Sequence, residues 1–158
     1  MPKSMTAIMT LSLLCHSLAA QTPPRLQGAW QLIQITTTGP QGTTNGKPLP
    51  SLYLFTRRHY SLVSENGDAP RTTVRTDSST REQLVDILRF SAQGGTYDVS
   101  GNQVTFHRIA ALFVPNMAPG NFRTDTFRLQ GDTLWLTTKS SQAGPDANPT
   151  TVKLRRVE

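Results

Sequence analysis

The chain has 158 residues, which is the length of one domain. Hydrophobic residues make up 36% of it and charged residues 16%, with 11 Gly and 11 Pro, a mixture typical of β structure with frequent turns. The formal net charge is +6, but the basic residues are spread along the chain without a basic helix or tail, so we expect no nucleic-acid partner.

The first 20 residues predict a secretory signal peptide. They combine a basic start at Lys3, an apolar run that reaches Cys15 and an end of small residues. The run is too short to span a bilayer, and Leu14 directly before Cys15 argues against a lipidated cysteine. We therefore expect an exported domain over residues 21–158, periplasmic or extracellular, with no stable membrane anchor. Because Cys15 is the only cysteine, this domain has no disulfide and no thiol ligand for a metal.

The rest of the chain predicts about eight β-strands and one helix. The predicted strands cover residues 26–37, 52–56, 59–63, 96–99, 103–109, 122–129, 133–139 and 151–157. Ser79 and Glu82 form a capping box, and apolar residues follow at helical spacing, which predicts one mid-chain helix from about Thr80 to Ser91. Eight antiparallel strands joined by hairpins close into an up-and-down barrel that holds one small ligand, so the predicted fold class is all-β.

The first predicted strand opens on a Gly-x-Trp sequence, formed by Gly28 and Trp30. This resembles the signature of the lipocalins, in which the Trp closes the bottom of the barrel and an Arg of the last strand lies over its ring. The resemblance implies that Arg156, which shares a face with the apolar residues of the last strand, covers Trp30. Together with the segments at residues 90–97 and 131–136, the order of the strands resembles exported bacterial lipocalin-like domains.

Aromatic and polar side chains of the predicted strands are the candidate lining of a binding cavity. The candidates are Tyr53, Phe55, Tyr60, Tyr97, Phe106, His107, Arg108 and Phe127. If Arg108, Arg123 or Arg128 points inward, it favours a carboxylate-bearing ligand such as a fatty acid. The leading prediction is an exported, monomeric binding protein for a small hydrophobic or amphipathic molecule, with no cofactor and no metal.

Two alternative functions follow from other residues. His107 lies close in sequence to Asp98 across a predicted hairpin, so an isomerase or hydrolase that uses His107 as a base at the barrel mouth is one alternative. No paired catalytic motif supports it, and we expect a binder more than an enzyme. The long polar loops at residues 39–50, 65–78 and 140–149 leave an inhibitor or protein-interaction module as the other alternative.

Overall fold

The computed structural model describes residues 26–67, 69–70, 80–81 and 89–158. These residues form ten β-strands, and a short 3-10 helix spans Val114–Met117. The strands are β1 Gly28–Thr37, β2 Thr43–Asn45, β3 Ser51–Phe55, β4 His59–Glu65, β5 Phe90–Ser100, β6 Gln103–Ala111, β7 Phe122–Gln130, β8 Thr133–Ser141, β9 Gly144–Pro145 and β10 Thr150–Arg156.

Eight of the strands close into an antiparallel barrel. The order of hydrogen-bonded neighbours is β10-β1-β3-β4-β5-β6-β7-β8, and β8 pairs with β10 to complete the ring. The two short strands lie outside it, with β2 against β1 and β9 against β8. The predicted all-β, up-and-down, eight-stranded barrel is therefore confirmed.

The two ends of the barrel differ. The short turns after β3, β5 and β7 lie at the end where β1 begins and β10 finishes, which we call the plugged end. Gly101 and Gly131 occupy the tips of two of these turns with φ values of 58° and 54°, in the left-handed region that favours glycine. The longer connections after β1, β4, β6 and β8 lie at the opposite end, which we call the loop end.

Alternation of side chains along the strands builds the interior. In β4, Tyr60, Leu62 and Ser64 are buried while their neighbours are exposed, as expected for a strand with one inward face. The same pattern on the other strands brings together the apolar core. This core consists of Leu26, Trp30, Leu32, Phe55, Tyr60, Val104, Phe106, Phe127, Leu134, Leu136 and Leu154. The core residues on β1 and β10 lie toward the plugged end, so the interior is most tightly packed there.

The predicted mid-chain helix is not confirmed. Most of it, residues 82–88, lies outside the described residues, as does the predicted signal peptide. Its predicted end is wrong, because Phe90 and Ser91 begin β5 and pair with the end of β4. Strand pairing overrides the local helical spacing at that point. Among the described residues, no helix is long and apolar enough to cross a membrane.

Candidate ligand-binding cavity

A cavity lies inside the barrel, beside the apolar core and toward the loop end. Its lining residues are Tyr53, Phe55, Tyr60, Leu62, Gln93, Phe106, Arg108, Arg123 and Leu136. The volume of the cavity is about 20 Å³, which is enough for about one water molecule, and the cavity is open to solvent at one side.

The alternation in β6 decides which side chains enter the cavity. Val104 and Phe106 are buried, and His107, the next residue, is exposed. Arg108 follows with the inward phase of Phe106, as period-two side-chain alternation requires. An aromatic ring and a guanidinium group therefore face the same space.

Gly95 separates two of the lining residues within the sheet. Tyr60 pairs with Gly95 between β4 and β5, and Gly95 pairs with Arg108 between β5 and β6. A register shift next to Gly95 brings the backbone of β6 so close that a Cβ atom there would lie 1.9 Å from the carbonyl oxygen of His107. Only glycine fits at this position, and it leaves no side chain between Tyr60 and Arg108.

Arg123 and Asp125 form an ion pair in the cavity wall. The two residues are two apart on β7, so both side chains face inward. Nε of Arg123 donates to Oδ1 of Asp125 at 2.7 Å and Nη2 donates to Oδ2, while the Asp125 side chain is fully buried. Burial lowers the pKa of Arg123, but the hydrogen bond to Asp125 and the charge of Asp125 outweigh it and raise that pKa. The pair contributes no net charge to the cavity.

The described hydrogen-bond partners of Arg108 are neutral side chains. Its Nε donates to Oε1 of Gln93 at 2.7 Å, and its Nη1 donates to Oδ1 of Asn121 at 2.6 Å. Burial is the largest influence on its pKa and lowers it. A guanidinium remains protonated in proteins, so the lowered pKa indicates that partial burial of this charge is unfavourable. Within the part of the chain that the structure describes, no carboxylate forms an ion pair with Arg108.

Two tyrosines flank these charges. The hydroxyl of Tyr60 is buried and has no hydrogen-bond partner among the described residues. Burial raises the pKa of Tyr60, although the charges of Arg108 and Arg123 oppose the rise. Burial also raises the pKa of Tyr53 to about 12. Both tyrosines are therefore neutral hydrogen-bond donors over the physiological pH range.

The structure brings five of the eight predicted lining residues to the cavity. These are Tyr53, Phe55, Tyr60, Phe106 and Arg108. Tyr97 instead contacts the ring of Phe55 edge-on at 5.5 Å and donates from its hydroxyl to the backbone oxygen of Thr56 at 2.6 Å. Phe127 belongs to the apolar core and does not line the cavity. Both are packing residues in this arrangement.

The placement of His107 among the lining residues is wrong. His107 lies on the outer face of β6, because the residues on either side of it have the inward phase. Its Nε2 is 3.3 Å from Oδ2 of Asp98, with 48% of the His107 side chain and 82% of the Asp98 side chain exposed. The predicted proximity of these two residues is present, but outside the cavity, where it offers no enclosed substrate site. No group of three or more His, Cys, Asp or Glu within residues 26–67, 69–70, 80–81 and 89–158 could hold a metal ion.

Two lining residues, Gln93 and Leu136, were not predicted, and neither was Asp125 behind the wall. The spacing Arg123-x-Asp125 on a strand could have predicted this ion pair, since it places opposite charges on one face of the sheet. Of the three arginines considered as inward candidates, Arg128 points outward and stacks on Trp135, with Cζ 3.6 Å from the ring centroid.

The plugged end has the arrangement that the resemblance implies. Cζ of Arg156 lies 4.0 Å from the centroid of the Trp30 ring, and Nε1 of Trp30 donates to the backbone oxygen of Leu26 at 2.7 Å. A Cβ on Gly28 would lie 2.4 Å from the backbone oxygen of Glu158, so glycine lets the start of β1 pack against the last residue. A closed eight-stranded, antiparallel, up-and-down barrel with this plug is a lipocalin-like β-barrel fold.

Two solved structures are similar to this chain. A lipocalin-like protein from Bacteroides uniformis has 15% sequence identity and a TM-score of 0.46, covering 83% of this chain and 97% of that chain. An uncharacterized protein from Bacteroides eggerthii has 13% identity and a TM-score of 0.46, covering 82% of this chain and 98% of that chain. Comparison with known protein families and with curated proteins found no match.

Proposed function

We propose that this protein binds a small amphipathic molecule in the cavity of its barrel. One observation carries the proposal: apolar walls, such as Leu62 and Leu136, and the guanidinium of Arg108 line the same open cavity. Partial burial of a guanidinium that has no ion-pair partner among the described residues is unfavourable for stability alone. Ligand pockets characteristically combine apolar walls with a few directed polar groups.

The position of the cavity fits this function. The tightly packed core and the Trp30 plug occupy the other end of the barrel, so a ligand enters from the loop end. The limited free volume indicates a ligand that places only a small group inside the cavity. The enzyme alternative receives no support, since His107 lies outside the cavity. The interaction-module alternative stays a prediction.

Native mass spectrometry of the full chain, produced in a bacterial host and purified without detergent, tests the proposal. We expect a retained small molecule, or a mass shift when short-chain amphipathic molecules are added. Leu62→Phe narrows the cavity and should abolish the shift. Leu54→Phe makes the same change at an exposed position of the neighbouring strand and should leave the shift in place. A wild-type protein that binds nothing, or equal shifts in both variants, would contradict binding in this cavity.

We also propose that the protein is exported, on the basis of the signal-like pattern at residues 1–20. The mass of the denatured chain from the same preparation measures this directly. Loss of about 20 residues and recovery from the periplasm are expected. An uncleaved chain found in the cytoplasm would contradict export without affecting the binding proposal.

A further inference from the structure

A gap lies over Gly95, between Tyr60 and Arg108. These three residues occupy one cross-strand row, in which β5 lies between β4 and β6 and the two outer backbones are about 10 Å apart. A Cβ at Gly95 would collide with the backbone oxygen of His107, so the middle position carries no side chain between Tyr60 and Arg108. The gap is flanked by a hydroxyl on one side and a guanidinium on the other.

The charge in this gap is positive, and no carboxylate forms an ion pair with Arg108 in the described part of the chain. Arg123 is neutralised by Asp125, whereas the described hydrogen-bond partners of Arg108 are the amide oxygens of Gln93 and Asn121. These two bonds fix the plane of the guanidinium through Nε and Nη1. Nη2 has no hydrogen-bond partner in the described part of the chain, so Arg108 is oriented and still has donors to offer.

The hydroxyl on the opposite side also has no hydrogen-bond partner among the described residues. Tyr60 is 7% exposed, and its ring is fixed by Phe106 at a centroid distance of 4.8 Å. A buried hydroxyl that makes no hydrogen bond is unfavourable, so unpaired groups of this kind require an explanation. A ligand oxygen placed in the gap would accept from Tyr60 and from Arg108 together.

We propose that this gap is a carboxylate site, in which Arg108 pairs with the ligand carboxylate and the Tyr60 hydroxyl donates to one of its oxygens. The inference rests on the proposed function, because it assigns the chemical class of the ligand head group. Tyr60 and Arg108 are then the residues that distinguish an acid from a neutral molecule of the same length.

Charge favours a carboxylate over a phosphate. Among the described residues, Arg108 is the one lining cation without an ion-pair partner, and a carboxylate balances its charge whereas a phosphate dianion exceeds it. The guanidinium geometry also matches the two oxygens of a carboxylate.

Calorimetric titration of the full chain with hexanoate, hexanol and hexyl phosphate tests the assignment. Wild-type protein should bind hexanoate more tightly than the other two. Arg108→Gln should weaken hexanoate binding about tenfold or more, as expected for loss of a charge-assisted hydrogen bond. Tyr60→Phe should weaken it about threefold to tenfold, as for a single hydrogen bond. Neither variant should change hexanol binding by a comparable factor.

Matched controls separate the site from general effects. Arg128→Gln removes an outward arginine, and Tyr97→Phe removes a hydroxyl that is bonded to Thr56, so both should bind hexanoate like wild type. If Arg108→Gln does not fold, Arg108→Lys should fold and retain a preference for hexanoate over hexanol. Equal binding of hexanoate and hexanol would overturn the carboxylate site while leaving the proposed function intact. Tighter binding of hexyl phosphate would overturn the choice of carboxylate, and no binding of any of the three would overturn both proposals.

Discussion

Replacing Asp125 by Asn should be among the most destabilising single substitutions in the barrel wall. The Asp125 side chain is fully buried and accepts two hydrogen bonds from Arg123. Asn has nearly the same volume but no charge and one acceptor oxygen, so Arg123 would remain as an unpaired cation inside the barrel. Removing one member of a buried pair typically costs about 3–5 kcal/mol. Because 28% of the Arg123 side chain is exposed, we expect the lower end, about 3 kcal/mol.

Urea unfolding followed by tryptophan fluorescence measures this loss. Asp132→Asn is the matched control, since that carboxylate is 81% exposed and lies 3.6 Å from Nε of Arg156, and it should cost less than about 1 kcal/mol. Combining Asp125→Leu with Arg123→Met should recover much of the stability, because it leaves no buried charge unpaired. A loss below about 1 kcal/mol for Asp125→Asn, or a double variant no more stable than Asp125→Asn, would refute this reasoning.

Three further changes have defined outcomes. The raised pKa of Tyr53, about 12 in the folded protein against about 10 for a free tyrosine, gives stability that is fully present below pH 10 and is lost as pH rises toward 12. Between pH 10 and pH 12, Tyr53 should make the free energy of unfolding fall by about 1.4 kcal/mol per pH unit, and Tyr53→Phe should remove this part of the fall. If the variant shows the same slope as wild type, the prediction is contradicted. Arg156→Ala should destabilise by about 1–2 kcal/mol in urea through loss of the contact with Trp30. Gly95→Ala should lower the melting temperature through its backbone clash, whereas Gly46→Ala, with nothing within 4 Å of the added Cβ, should not.

Much of the barrel could be predicted from local sequence patterns. Alternation of apolar residues identified seven of the barrel strands closely, and the Gly-x-Trp sequence anticipated the contact between Trp30 and Arg156. The beginning of β5 was missed. Considered with their sequence neighbours alone, Gly94 and Gly95 predict a break in the strand. Both instead lie inside β5 and pair with β4. Pairing with Ser61 and Tyr60, which are 33 and 35 residues away in sequence, decides that segment, and no local pattern reports it.

The site was only partly predictable because its geometry depends on phase and pairing. The adjacent residues Phe106, His107 and Arg108 cannot all face inward, and sequence alone did not fix which of them do. The gap over Gly95 exists only because Tyr60 and Arg108 meet the same glycine from two sides, at positions 35 and 13 residues away in sequence. Buried charges such as Asp125 were not expected, since carboxylates are rarely fully buried without a partner.

The most direct test of ligand binding in the loop-end cavity is an NMR titration of the isotope-labelled full chain with hexanoate. If the ligand binds in the cavity, the backbone amides of Gln93, Gly95 and Arg108 should show saturable chemical-shift changes. The amide of Gly131, at the plugged end, should stay unchanged and serves as the internal control. Shifts that do not saturate, or that centre on the outer wall around Trp135, would contradict a ligand site inside the barrel.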